Sequence, residues 1–155
     1  MFSAIAAIGF AAISNPPKRA YAVCALIAAL GHAGRFALMN LLAEPMHIVP
    51  ATLIASLAVG TSAVFLSPIS KTPAETCLFP ALLPMIPGIY AYKAFGGLAM
   101  CVLCRTEEAF AHYQYLFTQN GMICLTLLLC MVVGGTIPMF VFKKVSFQAT
   151  RYIDN

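Results

Sequence analysis

Residues 79–93 read Phe79-Pro80-Ala81-Leu82-Leu83-Pro84-Met85-Ile86-Pro87-Gly88-Ile89-Tyr90-Ala91-Tyr92-Lys93. Proline lacks an amide proton and clashes with the carbonyl four residues back, so in a helical register Pro80, Pro84 and Pro87 free the carbonyls of Thr76, Pro80 and Leu83. Gly88 then permits a turn that other residues resist. The passage lies inside an apolar stretch running from about Ala74 to Cys104. As one straight helix that stretch would be about 46 Å long, against a hydrocarbon core of roughly 30 Å. The expectation is a membrane segment broken in its middle. Non-helical backbone at that depth is tolerated where protein buries it or a wet cavity reaches it, and broken helices are a recurrent way of building transporter sites.

That a membrane is the right setting follows from composition. Of 155 residues, 61% are hydrophobic and 9% charged, with a mean hydropathy of +0.89. A soluble domain carries about 25% charged residues, so this chain lacks the groups to cover a globule. Charge and proline clusters divide it into five apolar blocks, expected to form an all-α membrane domain over residues 1–155. The expected spans are 2–14, 20–42, 49–66, 77–104 and 121–142, with the fourth broken at the prolines. The first is short for a crossing. Thr52, Ser56 and Gly60 recur at four-residue steps, a stripe suited to close helix packing. Between the last two spans, Phe110, Tyr113, Leu116 and Phe117 alternate with Glu107, Glu108, Gln114 and Gln119 at helical spacing, which predicts an interfacial helix over about 107–119. The apolar start has no positive n-region and is not expected to be a signal peptide.

The net charge of +4 is a topology signal, and no nucleic-acid partner is expected. With five crossings, Lys18, Arg19, Lys71, Lys143, Lys144 and Arg151 fall on one side and Arg105 alone on the other. By the positive-inside rule the C-terminus is cytoplasmic and the N-terminus external.

Two basic residues remain within spans. Arg35 sits near the middle of its block, where a charge costs at least about 2.5–3.5 kcal/mol, so it should face protein or water. His32 is three residues away and shares its helical face, beside Gly31 and Gly34, which let a backbone or ligand come close. Lys93 follows the broken passage by about one turn. A half-helix beginning near Ile89 points its positive end toward the bilayer interior, where it favours an anion. Arg35, His32, Pro84, Pro87, Gly88 and Lys93 are therefore the candidate substrate-binding residues, forming an electropositive pocket for a carboxylate. His32 is also the candidate proton-coupling group, because its unperturbed pKa lies near neutrality. The structural alternative is that Arg35 caps carbonyls of the broken helix next door, that His32 is a satisfied packing residue, and that Lys93 snorkels to the interface.

Elsewhere Cys101-Val102-Leu103-Cys104 matches a C-x-x-C pattern but lacks the second pair a metal or redox site needs. Gly134-Gly135-Thr136-Ile137-Pro138 reads as a kink or close-packing point, with a gating hinge as the alternative. Tyr90, Tyr92, Tyr113 and Tyr115 read as interface anchors. Nothing resembles a hydrolase triad, a phosphate loop or an H-E-x-x-H site, so no enzyme activity, metal or cofactor is expected.

Asn15-Pro16-Pro17-Lys18-Arg19 leading into Gly31-His32-Ala33-Gly34-Arg35, followed by Pro84-Met85-Ile86-Pro87-Gly88-Ile89-Tyr90-Ala91-Tyr92, resembles the small membrane subunit of the split threonine/serine exporter family. The likeness runs from about Gly9 to Phe142. It implies a bacterial inner-membrane protein of about five spans, acting with a larger membrane subunit. Related two-subunit systems export succinate. Lys93 matches no family motif, and its assignment rests on the physical argument alone. The expected function is export of a small carboxylate-bearing metabolite, threonine/serine or succinate. Five short spans give little material for two gates, so a partner subunit, self-association or both are expected within the lipid bilayer. The alternative is a scaffold subunit that transports nothing.

Overall fold

A computed structural model describes residues 2–13, 17–41 and 44–142. The expected span limits at Ser14 and Leu42, Asn15-Pro16, and the basic residues Lys143, Lys144 and Arg151 with the C-terminus lie outside the described residues. All elements among the described residues are helical: α1 (Phe2–Ile13), α2 (Lys18–Asn40), α3 (Ile48–Ser70), α4 (Ala74–Leu82), a 3-10 turn (Leu83–Met85), α5 (Gly88–Leu103) and α6 (Glu107–Val141). They fall into two compact units, one comprising the residues up to Met85 and from Cys130 onward, the other Ile86–Leu129.

Three helices, α2, α3 and α6, are long and apolar enough to cross a bilayer; a fourth crossing is added if Ala74–Met85 and Gly88–Leu103 count as one. At about 1.5 Å per residue, the 23 residues of α2 and of α3 reach about 34 Å, enough for a roughly 30 Å core. The 12 residues of α1 reach about 18 Å and do not. The expected count of five spans is thus not reached by length and composition alone.

The outer surface is apolar, with Phe36, Phe65, Ile69, Phe79, Leu125 and Phe140 exposed. The interior of the first unit combines many small residues with a few large ones such as Ile27, Leu78 and Met85. Ser3, Ala7 and Ala11 of α1 are buried at four-residue steps, and α1 packs on α2 and α4. In lipid the tails are as apolar as leucine, so association depends on backbones approaching closely enough for dispersion and polar contacts. Along α3, Thr52, Ser56 and Gly60 are all buried. The Ser56 hydroxyl lies within 3.0 Å of the Cys130 carbonyl, as well as of the Thr52 and Leu53 carbonyls of its own helix. A Cβ on Gly60 would strike the backbone of Gly135, and one on Gly134 would strike Ser56. The Gly134-Gly135 pair is therefore a close-packing point, and Pro138 is accommodated within the helix.

Local signals account for the element ends. His47 accepts from the Val49 amide at 3.4 Å at the start of α3, and Lys71 ends that helix in the left-handed region at φ 52°. Thr106 accepts from the Ala109 amide at 3.4 Å before α6, and Glu107 and Glu108 occupy its first turn, where acidic groups complement the helix dipole. One boundary departs from expectation. The interfacial helix over 107–119 and the last span over 121–142 are a single helix of 35 residues, about 52 Å long. Gly121 weakens a helix by only about 1 kcal/mol, and no proline intervenes, so nothing at the joint stops propagation.

Candidate functional site

His32 and Arg35 lie one turn apart on α2. Gly31 beside them is buried; a Cβ there would run into Val59 and come within 3.6 Å of the Met85 sulfur. The glycine thus sets how closely α2 approaches α3 and the 3-10 turn. That approach carries the guanidinium to backbone: Arg35 Nη1 donates to the Met85 carbonyl at 3.0 Å. Met85 is 1% exposed and closes the 3-10 turn, where the helical ladder runs out and the carbonyls present partial negative charge.

This contact is the one the structural alternative for Arg35 expects. It uses one of the five N–H groups of a guanidinium. His32 differs from its alternative, since its Nδ1 is buried with no hydrogen-bond partner among the described residues. One turn earlier along the same segment, Pro80 cannot donate to the Thr76 carbonyl, and the Cys24 thiol takes that carbonyl at 3.7 Å. Gly34 meets nothing within 4 Å and opens on an apolar groove of about 390 Å³ shared with Leu30, Ala37, Ile54 and Ala58.

At the start of the second unit the backbone turns at Pro87. Its backbone sits at φ −78°, ψ 58°, and the Gly88 amide donates to the Ile86 carbonyl at 2.8 Å. This is an inverse γ-turn. Gly88 takes no positive φ and is simply the first residue of α5. The glycine turn expected from the sequence is therefore replaced by one centred on Pro87, whose ring already holds φ near the required value.

In the second unit α5 and α6 cross closely. A Cβ on Gly97 would come within 2.8 Å of the Phe117 nitrogen and 3.0 Å of the Tyr113 carbonyl. Beside this crossing lies a cavity of about 510 Å³, lined by Tyr90, Tyr92, Lys93 and Gly96 of α5 and by Tyr113, Gln119 and Asn120 of α6, among others. Asn120 is buried and its Nδ2 donates to the Leu116 carbonyl at 2.7 Å.

The six candidates are thus divided: His32, Arg35 and Pro84 belong to the first unit, and Pro87, Gly88 and Lys93 to the second. Sequence reasoning missed the polar residues that line the cavity with Lys93. The signal was present, because Tyr90, Lys93 and Gly97 are spaced three and four apart, as are Tyr113, Leu116 and Asn120, one face on each helix. Cys101 and Cys104 are free thiols directed at carbonyls, with Cys104 Sγ 3.2 Å from the Cys101 oxygen. No cluster suited to a metal ion occurs among the described residues.

Long apolar helices, a lipid-like outer surface and polar groups held at helix breaks define a multi-span helical membrane protein. A family model described as Threonine/Serine exporter, ThrE matches residues 1–141, and the chain belongs to that family. It is 42% identical over 94 residues to an uncharacterised protein of Haemophilus influenzae, an alignment covering 61% of this chain and 31% of that protein. The chain thus spans about a third of that relative's length. No solved structure matches it.

Proposed function

We propose that this chain is the small subunit of a secondary exporter that moves threonine/serine or succinate across the bacterial inner membrane. It acts with a larger membrane subunit, its N-terminus external and its C-terminus cytoplasmic. Residues 74–103 form one discontinuous crossing, α1 completes a five-span set, and the amphipathic first half of α6 lies toward the interface. Family membership over residues 1–141 supports transport. The observation that carries the site is the Arg35 guanidinium at the Met85 carbonyl. One contact leaves further N–H donors for a carboxylate, and the unpartnered Nδ1 of His32 is one turn away to exchange a proton.

Counterflow in proteoliposomes tests this reading, using labelled threonine and labelled succinate, with the chain alone and with its candidate partner. Saturable exchange that requires this chain supports the proposal. Exchange by the larger subunit alone, undiminished by omitting this chain, overturns it. A second reading is a scaffold subunit, in which the Arg35 bond only ties α2 to the end of the 3-10 turn. The same Met85 contact favours it, and it is separated from the first by whether Arg35 variants lose partner abundance or lose transport by intact complexes.

A further inference from the structure

All six cysteines are free thiols, and the proposed exporter site uses none of them. Two of them meet. Cys24 of α2 and Cys77 of α4 are both buried in the core of the first unit, and their side chains are in hydrogen-bonding contact with one another. They come from different helices, so the packing of α2 on α4 makes the contact. Cys101 and Cys104, by contrast, direct their thiols at backbone carbonyls.

The surroundings of Cys77 differ from those of a thiol that only fills space. Thr72 Oγ1 lies 3.8 Å and Ser70 Oγ 4.0 Å from its sulfur, and both of these residues are buried. Cys77 also stands in the first turn or so of α4, as its fourth residue, at the helix end where the dipole favours negative charge. Polar donors and a helix N-terminus are surroundings in which a cysteine is reactive. Burial in apolar surroundings opposes this, but the pair is not deep. Cys24 is the seventh residue of α2 and Cys77 the fourth of α4, about 9 Å and about 4.5 Å from the helix starts. The exposed residues Lys18, Arg19, Lys71 and Glu75 stand at those starts, so the thiols lie just beneath a charged rim. An oxidant little larger than water reaches them through local opening of the first turn of α4.

We propose that Cys24 and Cys77 are a peroxide-sensitive pair that closes to a disulfide joining α2 to α4. The Cys77 sulfur attacks one oxygen of hydrogen peroxide: an S–O bond forms, the O–O bond breaks, and the departing hydroxide takes the Cys77 proton and leaves as water. The Cys24 sulfur then attacks the sulfur of this sulfenic acid. An S–S bond forms, the S–O bond breaks, and the second hydroxide leaves as water with the Cys24 proton. The two thiols together give two electrons to the peroxide, and a dithiol reductant returns them by exchange. Closure withdraws the Cys24 proton from the Thr76 carbonyl and ties α2 to the first half of the broken segment.

The test treats the full chain in lipid nanodiscs with hydrogen peroxide, alkylates it in denaturant and cuts it with trypsin. Cleavage places Cys24 on residues 20–35, Cys77 on 72–93, Cys101 and Cys104 on 94–105, and Cys124 and Cys130 on 106–143, so each pairing between these peptides gives its own product. The expected result is loss of two of the six free thiols, with peptides 20–35 and 72–93 linked and parted again by dithiothreitol. Cys77→Ala abolishes the link, and Cys101→Ala leaves it. The proposal is overturned if peroxide leaves Cys24 and Cys77 open to alkylation, if Cys77 is oxidised without joining Cys24, or if the link forms elsewhere in their place. The peptide map of the parent chain decides this even where the Cys77 variant does not fold. Counterflow keeps the two readings apart: a link without exchange by the reduced complex sinks the exporter and keeps the pair, and exchange without a link does the reverse.

Discussion

Replacing Arg35 by methionine separates a residue that serves transport from one that serves assembly, because two opposed terms offset one another. The substitution leaves the Met85 carbonyl without the guanidinium at 3.0 Å, in a residue that is 1% exposed. An unpaired buried acceptor costs about 1–3 kcal/mol. The same substitution removes a mid-span charge whose insertion costs about 2.5–3.5 kcal/mol. The difference runs from about 0.5 kcal/mol of lost stability to about 2.5 kcal/mol gained. Arg35→Met is therefore expected to unfold no more readily than the parent in a detergent titration followed by far-UV circular dichroism. Counterflow per folded complex is expected to fall at least about tenfold, the equivalent of one lost interaction of about 1.4 kcal/mol with substrate. A stability loss above about 1.5 kcal/mol, beyond what a single orphaned carbonyl leaves after that relief, together with undiminished counterflow, would refute the reasoning and favour the scaffold.

Other expected outcomes follow from the packing and the topology. Gly60→Ala forces α3 away from the Gly135 backbone and is expected to cost about 1–3 kcal/mol as overpacking, whereas Gly34→Ala enters open space and leaves thermal stability equal or raised; the reverse order of melting temperatures contradicts the contact. His32→Gln is expected to remove the pH dependence of export in vesicles while leaving the chain folded, and an unchanged pH profile ends its coupling role. A membrane-impermeant maleimide added from outside is expected to label the half-buried Cys101 or Cys104 and to spare Cys24 and Cys77, which are buried; labelling of the C-x-x-C pair only from the cytoplasmic side reverses the proposed orientation.

Much of the helical layout is legible in the chain because it is local. The apolar runs of α2 and α3 declare their lengths, and the stripe of Thr52, Ser56 and Gly60 declares which face of α3 packs. The expected division between 107–119 and 121–142 does not exist, because neither the polar residues nor Gly121 removes a helical hydrogen bond and α6 runs through. Gly88 was likewise assigned a turn that Pro87 makes.

Composition by itself pointed to a bilayer, since too few charges exist to hydrate the chain, whereas the prolines alone did not say where the ladder stops: Pro80 lies inside α4, which runs on to Leu82. Only the tertiary structure decided that Arg35 meets the Met85 carbonyl fifty residues away, that Cys24 reaches Thr76, and that Lys93 shares a cavity with Tyr113 and Asn120. Those encounters depend on where glycines let one backbone approach another, a property of pairs of helices that no single stretch of chain contains.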